Sequence, residues 1–150
     1  MQYFEYVMFM CLLLASWVKF VENNYRVKAN KANRAISGLS MGGFHSMHIS
    51  RYHPNTFDYI GLFSPAIGFN EKPNPVYENF VPTLQTQSRN GYQLYWIAVG
   101  KTDHVYQGCL NFRKQLDEIG MKYIYRESEG GHTWTNWRMY LTEFAPMLFK

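Results

Sequence analysis

The segment Gly38-Leu39-Ser40-Met41-Gly42-Gly43 contains the pattern Gly-x-Ser-x-Gly and decides the interpretation of this chain. Residues 34–39 before it favour a short buried strand, and residues 41–53 after it predict a helix that ends before Pro54. A sharp turn from strand to helix strains the backbone of the serine, so its neighbours must be glycines to avoid clashes. Ser40 is therefore a candidate nucleophile, and the Met41 amide at the helix N-terminus is a candidate donor to an oxyanion.

Outward from this turn, apolar runs predict further strands that alternate with helices. Strands are predicted over residues 57–63, 94–99 and 123–126, and helices over residues 106–119 and 135–149. Residues 68–91 are rich in proline and glycine, which predicts a long loop with at most one short helix. The pattern indicates an α/β fold with about four mainly parallel strands and flanking helices.

A serine nucleophile needs a base to take its proton, and five histidines are candidates. His132 lies in Gly130-Gly131-His132-Thr133-Trp134, just past the last predicted strand, where a glycine pair lets a side chain move. The four alternatives lie on the helix after the turn, at its end, or beside an aspartate: His45, His48, His53 and His104. We therefore expect His132 to be the base.

The base in turn needs an orienting carboxylate, and the chain has three aspartates: Asp58, Asp103 and Asp117. Asp103 follows the third predicted strand, at the carboxyl edge where sites form in open parallel sheets. Asp58 opens the second predicted strand, at the opposite edge of the sheet, and Asp117 lies near the end of a predicted helix. Asp103 is therefore the expected acid, with Glu127 and Glu129 as alternatives that lie close to the base along the chain.

The chain also resembles the esterase D-like branch of the α/β-hydrolases, which includes feruloyl and acetyl-xylan esterases, enterochelin esterases and S-formylglutathione hydrolases. The segments that carry the resemblance are Glu22-Asn-Asn-Tyr-Arg-Val, Asn33-Arg-Ala-Ile-Ser-Gly-Leu-Ser-Met-Gly-Gly, Phe63-Ser-Pro-Ala-Ile-Gly, Gly100-Lys-Thr-Asp and Gly130-Gly-His-Thr-Trp. The last of these is most similar to the feruloyl (xylan) esterase subgroup. The resemblance implies Ser40 as nucleophile, Asp103 as orienting acid and His132 as base, in the chain order of that fold.

The resemblance extends from about Val18 to Lys150, and it implies no metal and no organic cofactor. Members of the branch place several strands before the serine turn, whereas only 37 residues precede Gly38 here. We therefore expect a partial α/β-hydrolase fold, with the N-terminal half of the sheet missing and one truncated domain over residues 1–150. Such a sheet has an exposed edge through which chains can self-associate.

The expected function is that of a serine carboxylesterase acting through an acyl-enzyme on Ser40, on a substrate such as a feruloyl or acetyl ester of a plant polysaccharide. Two alternatives stay open: an impaired esterase remnant that acts as a binding or interaction module, and an acyltransferase. Trp134, Tyr77 and Phe80 are candidates for lining a pocket for the acyl or aromatic group, although aromatic loop residues also serve as packing.

Composition excludes a disordered tail, because 47% of the residues are hydrophobic and 18% are aromatic. Residues 1–17 form an atypical apolar segment, within an uncharged run from Tyr6 to Val18 that is too short to span a bilayer. This run predicts a buried helix to about Asn23, with an export signal as the alternative, so a cytoplasmic and an exported location both stay open.

Four basic residues lie within nine positions, namely Arg26, Lys28, Lys31 and Arg34. A cluster of this kind can bind phosphates. No nucleic-acid motif accompanies it, so we expect a solvated surface and no nucleic-acid partner. The two cysteines, Cys11 and Cys109, cannot build a disulfide framework or a zinc site, and we expect them to be reduced residues in or near the core.

Overall fold

The computed structural model describes residues 16–68 and 77–150 of the chain, and a parallel sheet lies at its centre. The sheet has four strands in the order β1-β2-β3-β4, so each strand pairs with the next one along the chain. The strands are β1 (Ala35–Leu39), β2 (Tyr59–Phe63), β3 (Leu94–Gly100) and β4 (Ile124–Ser128). Because all pairs are parallel, the carboxyl ends of the four strands meet at one edge of the sheet.

Helices connect and flank the strands. They are α1 (residues 16–24), α2 (Met41–Tyr52), α3 (Phe80–Asn90), α4 (Tyr106–Glu118) and α5 (Trp134–Phe144). Short 3-10 helices cover Lys31–Asn33 and Ala145–Met147. The sequence predicted a final helix to residue 149, but α5 ends at Phe144 because Pro146 lacks the N–H that a further turn needs.

Apolar side chains cover both faces of the sheet. Every residue of β2 and of β3 is buried, as expected for central strands of a parallel sheet. On one face, Met47 of α2, Leu84 of α3 and Phe112 of α4 belong to one buried cluster. On the other face, Tyr140 and Phe144 of α5 belong to a second cluster, which includes side chains of β2 and β3. The sheet is therefore sandwiched between helices, and its carboxyl edge carries the loops.

The region after β2 contains a longer helix than the sequence predicted. Residues 69–76 lie outside the described part of the chain, but α3 occupies 11 residues from Phe80 to Asn90. Phe80, Leu84 and Gln87 are its buried residues, at the spacing of one helical face. Pro82 lies in the first turn, where a backbone N–H has no partner within the helix, so it does not break the helix. The high proline content of residues 68–91 therefore did not prevent a helix of 11 residues.

Helix α1 confirms the predicted helix near the N-terminus but not its burial. Residues 16–24 are helical, while residues 1–15, with most of the uncharged run, lie outside the described residues. Trp17 is 62% exposed and Phe20 is 50% exposed. The Phe20 ring packs edge-to-face on the rings of Trp17 and Tyr25. The prediction of a buried helix is therefore wrong for residues 16–24. In the described ranges, no helix is long and apolar enough to cross a membrane.

Two residues of the basic cluster are paired with carboxylates from outside it. Lys31 Nζ lies 3.3 Å from Asp58 Oδ1, and Arg34 Nη2 lies 2.5 Å from Glu22 Oε1. These contacts neutralise part of the charge that the sequence places between Glu22 and Asp58. The first contact attaches the segment after α1 to the residue before β2, and the second attaches it to α1 itself.

One edge of the sheet is formed by β1. It pairs with β2 on one side, and within residues 16–68 and 77–150 no strand pairs with its other side. Self-association through this edge stays a prediction. Cys109 of α4 is a free, buried cysteine, as expected, and burial raises the pKa of its thiol to about 12. Cys11 lies outside the described residues.

Candidate active site

Ser40 lies in a strained turn between β1 and α2. Its φ is 53° and its ψ is −117°, values that residues other than glycine rarely adopt. The Ser40 amide donates a hydrogen bond to the Phe63 carbonyl (2.9 Å), and the Ser40 carbonyl accepts one from the Ala66 amide (3.0 Å). These bonds to the end of β2 hold the turn, and they place Ser40 at the carboxyl edge of the sheet, directly before the N-terminus of α2.

The two glycines of the motif do not have the same steric role. A Cβ on Gly38 would lie 2.3 Å from the carbonyl carbon of Gly42, so the end of β1 touches the first turn of α2. A Cβ on Gly42 itself would meet nothing within 4 Å. The expectation that both neighbours must be glycines is therefore right for Gly38 and wrong for Gly42, whose Cβ position faces open space.

Asp103 and His132 form a hydrogen-bonded pair at the same edge of the sheet. His132 Nδ1 lies 2.9 Å from Asp103 Oδ1 and 3.0 Å from Asp103 Oδ2. The carboxylate is fully buried, and the Val105 amide donates a further hydrogen bond to it at 3.1 Å. Since a carboxylate only accepts, the contact assigns the proton of the neutral imidazole to Nδ1 and leaves Nε2 as an acceptor.

The loops that carry this pair touch each other through backbone. The Thr102 amide donates to the Gly130 carbonyl at 3.1 Å. A Cβ on Gly100 would lie 2.1 Å from the same carbonyl oxygen, so only glycine allows this approach. The end of β3 and the loop after β4 are thereby fixed next to each other, which brings Asp103 within reach of His132.

Asn136 and Trp137 also shape the His132 loop, and sequence reasoning missed both. Asn136 is buried, and its Nδ2 donates to the carbonyls of Glu129 and Gly131, each at 3.0 Å. The Trp137 ring lies perpendicular to the His132 ring, with 4.8 Å between centroids. Both residues follow His132 by one helical turn, a spacing that places them on the start of α5 facing back to the loop.

Three of the other candidate bases and acids are buried or paired elsewhere. His48 is completely buried, and burial, with the neighbouring Arg51 charge, lowers its pKa to about 3. Glu127 Oε2 accepts a hydrogen bond from the Tyr106 hydroxyl (2.7 Å). Glu129 Oε1 pairs with Lys101 Nζ at 2.5 Å. Of these carboxylates, Asp103 is the one that contacts His132.

His104 is the exception among the alternative histidines, because it joins the pair. Its Nδ1 lies 3.4 Å from Asp103 Oδ1, and its ring centroid lies 4.4 Å from that of His132. The His104 side chain is 71% exposed. Ser40 Oγ, by contrast, makes no hydrogen bond to His132 or to any other residue in the described ranges. The structure therefore joins the predicted acid and base, and it places the serine at the same edge without a direct bond to them.

The three candidate substrate residues differ in exposure. Phe80 is 6% exposed and packs in the core, where the Arg51 guanidinium lies 4.8 Å from its ring. Phe80 therefore packs in the core, and its predicted position in a substrate pocket stays a prediction. Tyr77 is half-buried against Phe80, and its hydroxyl accepts a hydrogen bond from the Gly68 amide at 3.0 Å. Trp134 is 64% exposed beside Trp137, which in turn contacts the His132 ring.

Comparison with known proteins identifies the family of this chain. The sequence model of the Esterase family, described as "Putative esterase", matches residues 12–148. The chain belongs to this esterase family. The resemblance expected from the sequence motifs is confirmed.

Two curated relatives of this esterase-family chain are named as esterases. An endo-1,4-beta-xylanase/feruloyl esterase of Xylanibacter ruminicola is 28% identical over 140 residues, which cover 93% of this chain and 17% of that protein. An acetyl esterase of Caldicellulosiruptor saccharolyticus is 22% identical over 161 residues, which cover 89% of this chain and 60% of that protein. The esterase-family chain thus spans less than two thirds of each of these relatives.

Among solved structures, a CE1 ferulic acid esterase from Anaeromyces mucronatus, in complex with ferulic acid, superimposes with a TM-score of 0.81 at 22% identity. The match covers 96% of this chain and 55% of that chain. At this identity the likeness shows the fold, and the four parallel strands with flanking helices are those of an α/β-hydrolase.

Proposed function

We propose that this esterase-family chain hydrolyses a carboxylic ester through an acyl-enzyme on Ser40. The observation that carries the proposal is the strained Ser40 turn at the same sheet edge as the hydrogen-bonded Asp103–His132 pair. Strained serines before a helix are typical of nucleophiles, and a buried aspartate on a histidine is the arrangement of an acid that orients a base.

The proposed reaction has two stages, acylation of Ser40 and hydrolysis of the acyl-serine. Ser40 Oγ attacks the ester carbonyl carbon while its proton passes to His132 Nε2, and Asp103 stabilises the imidazolium through Nδ1. The oxyanion accepts a hydrogen bond from the Met41 amide at the start of α2, where the helix dipole also favours negative charge. The tetrahedral intermediate expels the alcohol, which takes the proton from Nε2. Water then attacks the acyl-serine by the same route and releases the acid.

For the substrate we propose a feruloyl or acetyl ester, of the kind carried by plant polysaccharides. The names of the relatives support this class. The exposed Trp134 supports the feruloyl ester, because the Trp134 ring lies beside Trp137 and is therefore close to the His132 loop. A flat, exposed indole is suited to stack on a phenolic acyl group. An acetyl group offers no ring to stack on, so Trp134 distinguishes the two substrates.

The nucleophile is tested with a fluorophosphonate probe. We expect labelling of the wild-type chain, loss of labelling in Ser40→Ala, and retained labelling in the control Ser37→Ala, whose serine lies exposed on β1 three residues earlier. His132→Gln should reduce labelling strongly, because the hydroxyl then keeps its proton. Equal labelling of Ser40→Ala and wild type would contradict the assignment.

Substrate choice is tested with methyl ferulate and p-nitrophenyl acetate. If Trp134 stacks on the phenolic ring, Trp134→Ala should lower kcat/KM for the ferulate about tenfold, the equivalent of about 1.4 kcal/mol, and leave the acetate nearly unchanged. Equal losses on both esters would argue against an aromatic subsite. Labelling at Ser40 without any turnover of either ester would indicate an impaired remnant in place of an esterase.

A further inference from the structure

Three potential metal ligands converge on the candidate active site. They are a carboxylate oxygen of Asp103 and one ring nitrogen each of His104 and His132, and all three atoms lie within 4.8 Å of one another. The sequence pattern of the site does not require His104, and the proposed hydrolysis does not use it. Two imidazoles and a carboxylate form a donor set that suits zinc and similar divalent cations.

The spacing of these atoms is close to what a tetrahedral ion needs. With zinc–ligand distances of roughly 2.0–2.2 Å, the ligand atoms of a tetrahedral site lie about 3.4 Å apart. Asp103 Oδ1 lies 3.4 Å from His104 Nδ1 and 2.9 Å from His132 Nδ1. The first of these distances matches the spacing of a tetrahedral site, the second is shorter, and the two ring nitrogens lie within 4.8 Å of each other.

The three groups also differ in exposure, and the most exposed of them opens the site to an ion from solution. The Asp103 carboxylate is fully buried, so it is held in place, and the His132 side chain is 21% exposed. The His104 side chain is 71% exposed, so an ion in solvent can reach it. Three protein ligands leave a fourth position for water.

We propose that Asp103, His104 and His132 bind a divalent cation of the zinc class, and that this binding takes His132 out of ester hydrolysis. The second half of this inference rests on the proposed function. A metal on Nδ1 of His132 uses the lone pair that is protonated in the Asp103-bonded tautomer. The proton of the neutral ring then moves, through solvent, to Nε2. An Nε2 that carries a proton cannot accept the Ser40 proton, so the nucleophile is no longer activated.

The binding half is tested by titrating ZnCl2 into the full chain in a calorimeter. We expect one site in the wild type, and a Kd raised about tenfold or more in His104→Gln, because one of three ligands is lost. His104 is exposed, so this variant keeps the fold, which circular dichroism checks. The control His53→Gln removes an exposed histidine at the end of α2 and should bind zinc as the wild type does. MgCl2 should give no binding, since magnesium prefers oxygen ligands.

The inhibitory half is tested by ester turnover over the same zinc range, with each variant compared with its own zinc-free rate. We expect wild-type turnover to fall as the site fills and to recover with EDTA, and His104→Gln to need about tenfold more zinc. Unchanged zinc affinity in His104→Gln, or no zinc binding by the wild type, would refute the proposed metal site. Full turnover at saturating zinc would overturn the inhibition. A chain that binds zinc but hydrolyses no ester at all would keep the site and refute the proposed function and the inhibition built on it.

Discussion

Removal of the Asn136 carboxamide should loosen the loop that carries His132. In Asn136→Ala the carbonyls of Glu129 and Gly131 each lose a hydrogen bond of 3.0 Å. A hydrogen bond in a protein contributes roughly 0.5–1.5 kcal/mol net, so the two together are worth about 2 kcal/mol. For a chain of this size, that loss lowers the melting temperature by about 4–8 °C.

The measurement is urea unfolding followed by tryptophan fluorescence, with two further variants. Asn111→Ala removes an exposed asparagine of α4, whose Oδ1 accepts a hydrogen bond from Gln107 at the surface, and should cost less than about 0.5 kcal/mol. Asn136→Asp keeps the shape but turns a carboxylate oxygen toward two carbonyl oxygens. It should therefore be at least as unstable as Asn136→Ala at neutral pH. If Asn136→Ala unfolds at the same urea concentration as Asn111→Ala, the carboxamide does not hold the loop.

Three other features give separate predictions. Gly38→Ala should destabilise the chain by about 1–3 kcal/mol through the clash with the Gly42 carbonyl, whereas Gly42→Ala should be neutral or stabilising; equal thermal midpoints would contradict this. For His48, whose folded pKa of about 3 lies below that of the unfolded chain, the unfolded state takes up the proton first on acidification. The free energy of unfolding should then fall by up to about 1.4 kcal/mol per unit between about pH 6 and 4. His48→Leu should flatten that slope and His53→Leu should not, as denaturant titrations at several pH values will show. One edge of β1 pairs with no strand among residues 16–68 and 77–150, and this edge should cause concentration-dependent association in size-exclusion chromatography, which Ser37→Lys should reduce; a chain that elutes as a monomer at every concentration would refute this.

Local sequence predicted the strands well, and it predicted that Asp103 and His132 lie close together. The buried strands appear as apolar runs bounded by glycine or polar residues, and the Gly-x-Ser-x-Gly turn has a steric basis that is visible in the sequence. The choice of Asp103 followed from its place after a strand, because parallel topology alone brings such residues to one edge. His132 and Asp103 are in contact as that reasoning predicted.

Features that depend on the meeting of distant segments were not predictable in the same way. Asn136 acts on carbonyls of a loop whose path the sequence does not reveal. The contact of His104 with His132 depends on the approach of two loops at Gly100. Pro82 favours a loop in most positions, but it is compatible with a helix when it lies in the first turn, as it does in α3. The exposure of α1 depends on which other segments pack against it, and the apolar residues of α1 alone do not predict those contacts.

The sequential strand order also determines when each part of the site arises during synthesis. The backbone bonds of the Ser40 turn are made with Phe44, Phe63 and Ala66, which lie in α2, at the end of β2 and just after it. The partner of Asp103 lies in the loop after β4, which follows these segments in the sequence. Proteins emerge from the ribosome with their N-terminal part first. The segments that bond to the Ser40 turn therefore emerge from the ribosome before the loop that carries His132, and the pair proposed to activate the serine is expected only after that loop has emerged.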